Sequence, residues 1–416
     1  MQPFHGPWFH GMIIQLRVAN FRSLRDEQTL SMVASTRADT GRAARAVPGA
    51  PVTALCAAGI FGANASGKSN VLEALRFLCS AVENSHGRWR PDEGVPRTPF
   101  CLDAQSPQRP SEFELDFVLD DVRYSYGFQL DDEQILAEWL HAFPQGRRQS
   151  WFTREQGAFS FGKKLGGQNR TIASLTRPNS LFLSAAAQNN HEQLMPLYRW
   201  LVQSIQFIDL SSHRSDASSF AEETIAALLQ SGSRRAVVEL LRFADLGILD
   251  ARVTRRMDTQ TFSTYLAKLS RSDRTLLRSV LAQLPSRASE PTPAMPAERF
   301  SRFEHDVVLE HRPPGTSGGQ EIRFEHESEG TKAWFGLLGP LLHTLRTGGV
   351  LLADELDRSL HPHLVSALVH MFQNPRTNPR CAQLIFNTHD TSLIGTLHKG
   401  LPSGEEQSTV LARDQI

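Results

Sequence analysis

The sequence predicts an α/β fold, and three observations carry that expectation. Apolar runs at Ala54–Phe61, Val350–Ala353 and Leu384–Phe386 each stop at glycine or polar residues, as buried parallel strands do at the edge of a sheet. The first run leads straight into GANASGKSN, Gly62 to Asn70, and then into VLEALRFLCSAV, Val71 to Val82, whose apolar residues recur at helical spacing. FELDFVLDDVRYSYGFQL, Phe113 to Leu130, holds two alternating runs around Asp120 and Asp121, the pattern of an antiparallel hairpin.

At 416 residues the chain can hold two or three domains' worth of core, or one large α/β domain carrying an insertion. Hydrophobic residues make up 40% and charged residues 21%, the composition of a soluble globular protein. Lys plus Arg number 44 and Asp plus Glu number 44, so no overall basic field advertises nucleic acid, and DNA would need a local patch. Cys56, Cys79, Cys101 and Cys381 lack the C-x-x-C spacing of a zinc or redox site and read as buried thiols. No apolar run approaches the ~20 residues of a membrane-spanning helix. The opening MQPFHGPWFHG lacks the basic start and apolar core of a signal peptide, so a cytoplasmic protein without a membrane partner is expected. The better-patterned start at Met12 makes the first eleven residues a loose extension or an upstream start.

In chain order, MIIQLRVANF from Met12 alternates Ile14, Leu16 and Val18 with polar residues and predicts a half-buried strand. After the helix and the hairpin, TRPNSLFLSAAAQNN, Thr176 to Asn190, predicts a turn followed by a short buried strand. From Glu192 to Leu284 the pattern is mainly helical, with AEETIAALLQ and SRRAVVELLRFADLG carrying apolar residues three and four apart. Four prolines in Pro285–Pro296 predict a linker or loop, and FEHDVVLEHR resumes strand-like alternation. The expected division is an N-terminal part, 12–190, a mainly helical insertion with its linker, 191–300, and a C-terminal part, 301–416.

GANASGKSN reads G-x-x-x-x-G-K-S between a strand and a helix, the setting in which backbone amides and the helix's positive end face a phosphate. Gly62, Asn64, Ala65, Ser66, Gly67 and Asn70 would form the cradle, and Lys68 would reach the β- and γ-phosphates. The Ser69 hydroxyl would complete the shell of a magnesium ion. A chance glycine turn is the bland alternative. VLLADELD ends a buried strand in Asp354, suited to hold magnesium, and Glu355, suited to accept a proton from an attacking water. AQLIFNTHD repeats the plan and puts Asn387, Thr388 and His389 at a strand end, where a histidine can bond a terminal phosphate or the attacking water. His361 and His363 in HPHL could suggest a metal pair, but no third ligand stands at metal-site spacing, and a capped helix start is the preferred reading. In ESEGTKAWF, Ser328 and Gly330 would open a helix whose free amides make a second anion site, useful when it closes over a partner subunit's nucleotide. The plain alternative is an N-cap.

Laid out in this order, the loop GANASGKSN, ESEGTKAWF, LLADELD and THD resemble the ABC-type ATPases, and within them the compact OLD-like and RecF-like AAA family proteins, over nearly the whole chain from Met12. The resemblance implies a P-loop NTPase of ABC-ATPase type with an antiparallel β subdomain and a mainly helical insertion, using ATP and Mg2+. It implies a head-to-tail homodimer with ATP sandwiched between the loop of one subunit and Ser328 of the other. Asp357 would belong to the loop crossing that interface, Arg22 in VANFRSL would lie near the base, and Gln188 matches the position of the family's magnesium-sensing glutamine. Glu329 and Thr331 replace the glycine and glutamine of transporter ATPases and speak against transport. The 286 residues between Lys68 and Asp354 (354 − 68) are too few for the coiled coil of SMC proteins. The 27 residues after His389 (416 − 389) leave no room for the TOPRIM nuclease of OLD proteins, so an effector would be separately encoded, as in RloA-type defence proteins. The competing expectations are a DNA-binding repair ATPase of the RecF type and a scaffold that uses ATP without hydrolysing it.

Overall fold

The structure, a computed structural model, describes residues 11–34, 44–47, 52–63, 66–209, 216–244, 247–257, 303–313, 318–390 and 393. The proline-rich stretch 285–296 and the first ten residues lie outside them. The chain divides into one unit of residues 1–221 and 336–416 and a second of residues 222–335. These limits differ from the expected 190/191 and 300/301. The elements on either side of the insertion pair in one sheet, which carries residues beyond 190 into the first unit, while ESEGTKAWF falls in the second.

In the first unit the chain runs through β1 (Gly11–Ala19), β2 (Gln28–Ser31), β3 (Ala44–Ala46), β4 (Thr53–Leu55) and β5 (Ala57–Ile60) into α1 (Lys68–Asn84). An antiparallel meander follows: β6 (Ser111–Leu119), β7 (Val122–Leu130), β8 (Ile135–Phe143), β9 (Gln149–Glu155) and β10 (Ala158–Phe161). Asp120 and Asp121 form the hairpin turn with φ of 48° and 63°. Two consecutive left-handed residues suit the right-handed twist of the flanking strands, and aspartate tolerates that conformation better than most residues. The seven-stranded sheet has the order β10-β9-β8-β7-β6-β1-β2. Gly127 in β7 is required by packing, because a Cβ there would come 2.5 Å from Trp139 Cζ2 on β8.

Next come α2 (Asn169–Leu175), α3 (Phe182–Gln188), α4 (Met195–Gln203) and β11 (Ile205–Asp209). The buried strand expected after Thr176 is thus a helix. An apolar run this short does not declare its own period, and a distant residue decides it. The buried Glu138 carboxylate on β8 accepts from Phe182 N at 2.6 Å and Leu183 N at 3.1 Å, satisfying the first amides of α3. Phe113, Phe117, Phe128, Leu140 and Phe152 of the meander share one core with Leu72, Leu75 and Leu78 of α1, Phe182 of α3 and Trp200 of α4.

The second unit begins within α5 (Asp216–Leu229) and continues through α6 (Ser231–Phe243), β12 (Ile248–Met257), β13 (Phe303–His311), β14 (Gln320–Arg323) and the start of α7 (Glu329–Thr347). Its sheet is β12-β13-β14, so β11 and β12 both interrupt the stretch expected to be mainly helical. Thr331, Trp334 and Phe335 bury one face of the first turns of α7. Trp334 Nε1 donates to Leu240 O at 3.0 Å, and Thr224 Oγ1 to Phe335 O at 2.7 Å.

Back in the first unit, β15 (Val350–Asp354), α8 (Leu356–Ser359), α9 (Pro362–Gln373) and β16 (Gln383–Asn387) complete a parallel sheet of order β11-β15-β16-β5. Its residues Val350, Leu351, Leu352, Leu384, Ile385 and Phe386 are buried, the all-apolar pattern of a strand covered on both faces. Buried Gln383 ties the sheets together: its Oε1 accepts from Ile13 N at 2.6 Å, and its Nε2 donates to the carbonyls of Ile13 and Leu55, both at 3.0 Å. His361 caps α9, its Nδ1 accepting from His363 N at 3.3 Å, which agrees with the capped-helix reading of HPHL.

Candidate nucleotide-binding site

Three parallel strands bring the site together, because β16 lies between β5 and β15. The glycine loop leaves the end of β5, the acidic pair leaves β15, and Asn387, Thr388 and His389 leave β16 at the same carboxyl edge. Ligands bind at this edge in open α/β sheets.

Gly67 stands at the N-cap of α1 with φ 87°, and a Cβ there would meet Leu24 Cδ2 and Ser23 Oγ, each at 3.1 Å. No side chain caps α1 and its first turn carries no acidic residue. Its leading amides therefore remain available to an anion. Lys68, 7% exposed, folds back and donates from Nζ to Gly62 O at 2.9 Å and Ala63 O at 2.8 Å. The Ser66 hydroxyl is buried with no hydrogen-bond partner among the described residues. Asn64 and Ala65 lie outside the described residues.

The turn after β1 lies against this loop. Asn20, with φ 54°, donates from Nδ2 to Ser106 O and Arg109 O, both at 2.8 Å, and accepts Phe100 N at 3.0 Å. So anchored, the turn places Ser23 Oγ 2.6 Å from Asn70 Nδ2. Arg22 reaches α1 as well, where its guanidinium pairs with Glu73 at 3.1 Å.

At the centre, Ser69 Oγ donates to Asp354 Oδ1 at 3.0 Å. Asn387 Nδ2 donates to Ser69 Oγ at 3.0 Å and also to Asp354 Oδ1. Asn387 Oδ1 accepts from Glu355 N at 2.5 Å. Burial pushes the Asp354 carboxyl above its ordinary range; bonds from Asn387 and Ser69 oppose that, while the charges of Glu355 and Asp209 add to it. Asp209, at the end of β11, is in register with Asp354. A hydroxyl beside a carboxylate is the donor set of a hard oxygen-seeking cation. Among the described residues no group of three or more His, Cys, Asp or Glu could hold a metal. Ser69 and Asp354 supply two oxygen ligands that suit magnesium, an ion that takes its other ligands from water and phosphates.

Glu355 has φ 51° and ψ 51°, left-handed for a non-glycine residue, and its carboxylate pairs with the exposed Arg358 at 2.9 Å. Strain of this kind costs about 1–3 kcal/mol and persists where neighbours hold it. Asp357 Oδ2 accepts from His389 N at 2.9 Å, while its Oδ1 is buried without a partner. The His389 ring is exposed.

Two expectations fare differently. Ser328 is exposed and caps α7: Thr331 N donates to its Oγ at 3.1 Å, and the two hydroxyls lie 2.8 Å apart. Gly330 follows in the first turn, and both residues belong to the second unit, whereas the loop belongs to the first. Gln188 does not join the site. It ends α3 beside Gly87, past the far end of α1, and bonds Tyr198. The 17-residue α1 puts that position about 25 Å from the loop at 1.5 Å per residue. The expectation needed a strand before the glutamine, and the chain makes a helix there. Conversely, Asn387 and Asp209 are site residues to which the motifs assign no role, the strand-end position of Asn387 in AQLIFNTHD being their one sequence signal, while Ser23 belongs to the Asn20–Ser23 element that the resemblance places near the base.

This fold and site define a P-loop ATPase of the AAA and ABC type. The sequence profile of the family described as "AAA domain, putative AbiEii toxin, Type IV TA system" matches residues 57–395, and the chain belongs to that family. No curated protein matches the chain. Among solved structures it is similar to the Smc head domain with an extended coiled coil, bound to the C-terminal domain of ScpA, from Pyrococcus furiosus. That similarity has 14% identity and a TM-score of 0.39, covering 93% of this chain and 92% of the other. Among the described residues no helix is long and apolar enough to cross a membrane.

Proposed function

We propose that the chain is a magnesium-dependent ATPase of the OLD-like, RloA-type group, which closes as a head-to-tail dimer around ATP and regulates a separately encoded effector in anti-phage defence. The observation that carries the ATPase reading is the convergence of Ser69, Asp354 and Asn387 beside an uncapped helix start, with Glu355 on the next residue. Lys68 would exchange its two loop carbonyls for phosphate oxygens and neutralise charge on the transferring group. Magnesium held by Ser69 and Asp354 would supply Lewis-acid stabilisation of the phosphate oxygens. Glu355 would accept the proton of the attacking water after releasing Arg358. His389, held through its main chain by Asp357, would present its ring to the γ-phosphate. The family's description as a toxin of a toxin–antitoxin system supports a defence setting.

Replacing Glu355 by Gln removes the proton acceptor and leaves the binding groups. Steady-state phosphate release is expected to fall at least a hundredfold, general-base contributions being of order 10²–10⁴, while ATP affinity stays within about threefold. Hydrolysis at the parental rate would remove Glu355 from the mechanism. In an infection assay with the proposed effector co-expressed, the same substitution is expected to abolish protection against phage.

A further inference from the structure

Asn387 uses every polar atom of its side chain at the site, and the choice of partners is informative. Its amide nitrogen donates to both oxygens that would hold the cation, Ser69 Oγ and Asp354 Oδ1, while its amide oxygen holds the backbone N–H of Glu355. The N–H of Glu355 fixes which end of the amide is oxygen. With 1% exposure the side chain has no solvent to turn into, so its bonds exchange only with other groups of the site.

The carboxamide N–H pair of Asn387 and a divalent cation compete for the same oxygen lone pairs. A hydroxyl that accepts from Asn387 has that lone pair committed, and a cation at about 2.0–2.1 Å from the oxygen needs it free. Two donors and a cation cannot crowd one carboxylate oxygen without repulsion.

We propose that Asn387 is a latch that competes with the cation for the Ser69–Asp354 pair, and that loading the cation frees its amide and changes its hold on the backbone of Glu355. Asn387 is therefore a positioning residue that couples occupancy of the Ser69–Asp354 pair to the geometry of the residue proposed as proton acceptor. The inference rests on the nucleotide-binding reading above and adds a regulatory link to it. The left-handed Glu355 is the element that responds, because its conformation depends on neighbours and its N–H has Asn387 as acceptor.

The test uses the full chain with ADP and MgCl2, followed by calorimetric titration and by melting temperature, so that no turnover is needed. In Asn387→Ala, the Mg2+ concentration that half-saturates the tightening of ADP is expected to fall about tenfold, the value of one hydrogen bond to a charged group. The melting temperature in EDTA is expected to fall, since buried Asp354 loses a donor. Under ATP, kcat is expected to fall while the Mg2+ requirement also falls. A merely structural asparagine would raise that requirement. Asn387→Asp keeps the acceptor for Glu355 N and replaces the donors by a carboxylate, so its Mg2+ requirement is expected to fall further, with kcat closer to parental. Normal ADP binding with an unchanged or raised Mg2+ requirement in both variants overturns the latch alone. Failure of the parental chain to bind ADP with Mg2+ overturns the nucleotide reading itself, and the latch with it.

Discussion

At the residue scale, the positions of the site are constrained by backbone as much as by side-chain chemistry. Gly67 joins a left-handed φ to two neighbours at 3.1 Å. Gly67→Ala meets both obstacles, since a Cβ in that region costs about 1–2 kcal/mol before any contact is counted. ATP affinity is expected to fall at least tenfold and the melting temperature to fall with it, because Ser23 and Leu24 can make room only by moving off the loop. Equal affinity in a titration of both proteins would show that the loop binds by another geometry. Single residues also mark what sequence can tell. Lys68, Ser69 and Asp354 were legible because each sits in a motif with its own strand or helix. Asn387 was visible as a polar strand end, but its task depends on β16 lying between β5 and β15, and sheet order leaves no trace in periodicity.

Elements show where local pattern yields to distant contacts. The hairpin around Asp120 and Asp121 was legible because alternation and turn chemistry agree. LFLSAAAQ was misread because seven apolar and small residues suit a strand or a helix, and the deciding carboxylate of Glu138 is 44 positions away. Glu138 is buried, and burial raises its pKa despite bonds from Phe182, Leu183 and Tyr126 and the charge of Arg154. A carboxyl held above its ordinary value holds protons more readily folded than unfolded. Its ionisation therefore removes stability as pH rises from the ordinary carboxyl value to the raised one. Glu138→Gln cannot ionise, so its melting temperature is expected to lack that decline. The variant starts lower, because the new Nε2 faces an N–H that it cannot accept. Parallel melting curves across that window would show that Glu138 does not carry this dependence.

For the whole molecule the open matter is the second copy. Ser328 now spends its hydroxyl on Thr331 N, yet a cap and an anion contact are separable by substitution. Asp is as good a cap as Ser, and Ala costs about 1 kcal/mol. Ser328→Asp is therefore expected to melt near the parental temperature and, by repelling phosphate, to prevent the ATP-dependent doubling of mass that the proposed dimer predicts for the Glu355→Gln background in light scattering. Retained doubling would exclude Ser328 from the seam. The alternation of strands and helices made the fold class readable, whereas the boundaries at 221/222 and 335/336 fall inside helices, where composition changes little.

Among the described residues the strand that carries the glycine loop is at the edge of its sheet, with β16 as its neighbour. Ser69 and Asn387 are 318 positions apart. A ribosome delivers the loop well before Asn387, so a nascent chain that has not reached β16 owns a cradle with no wall. Competence to grip a nucleotide therefore waits for that strand.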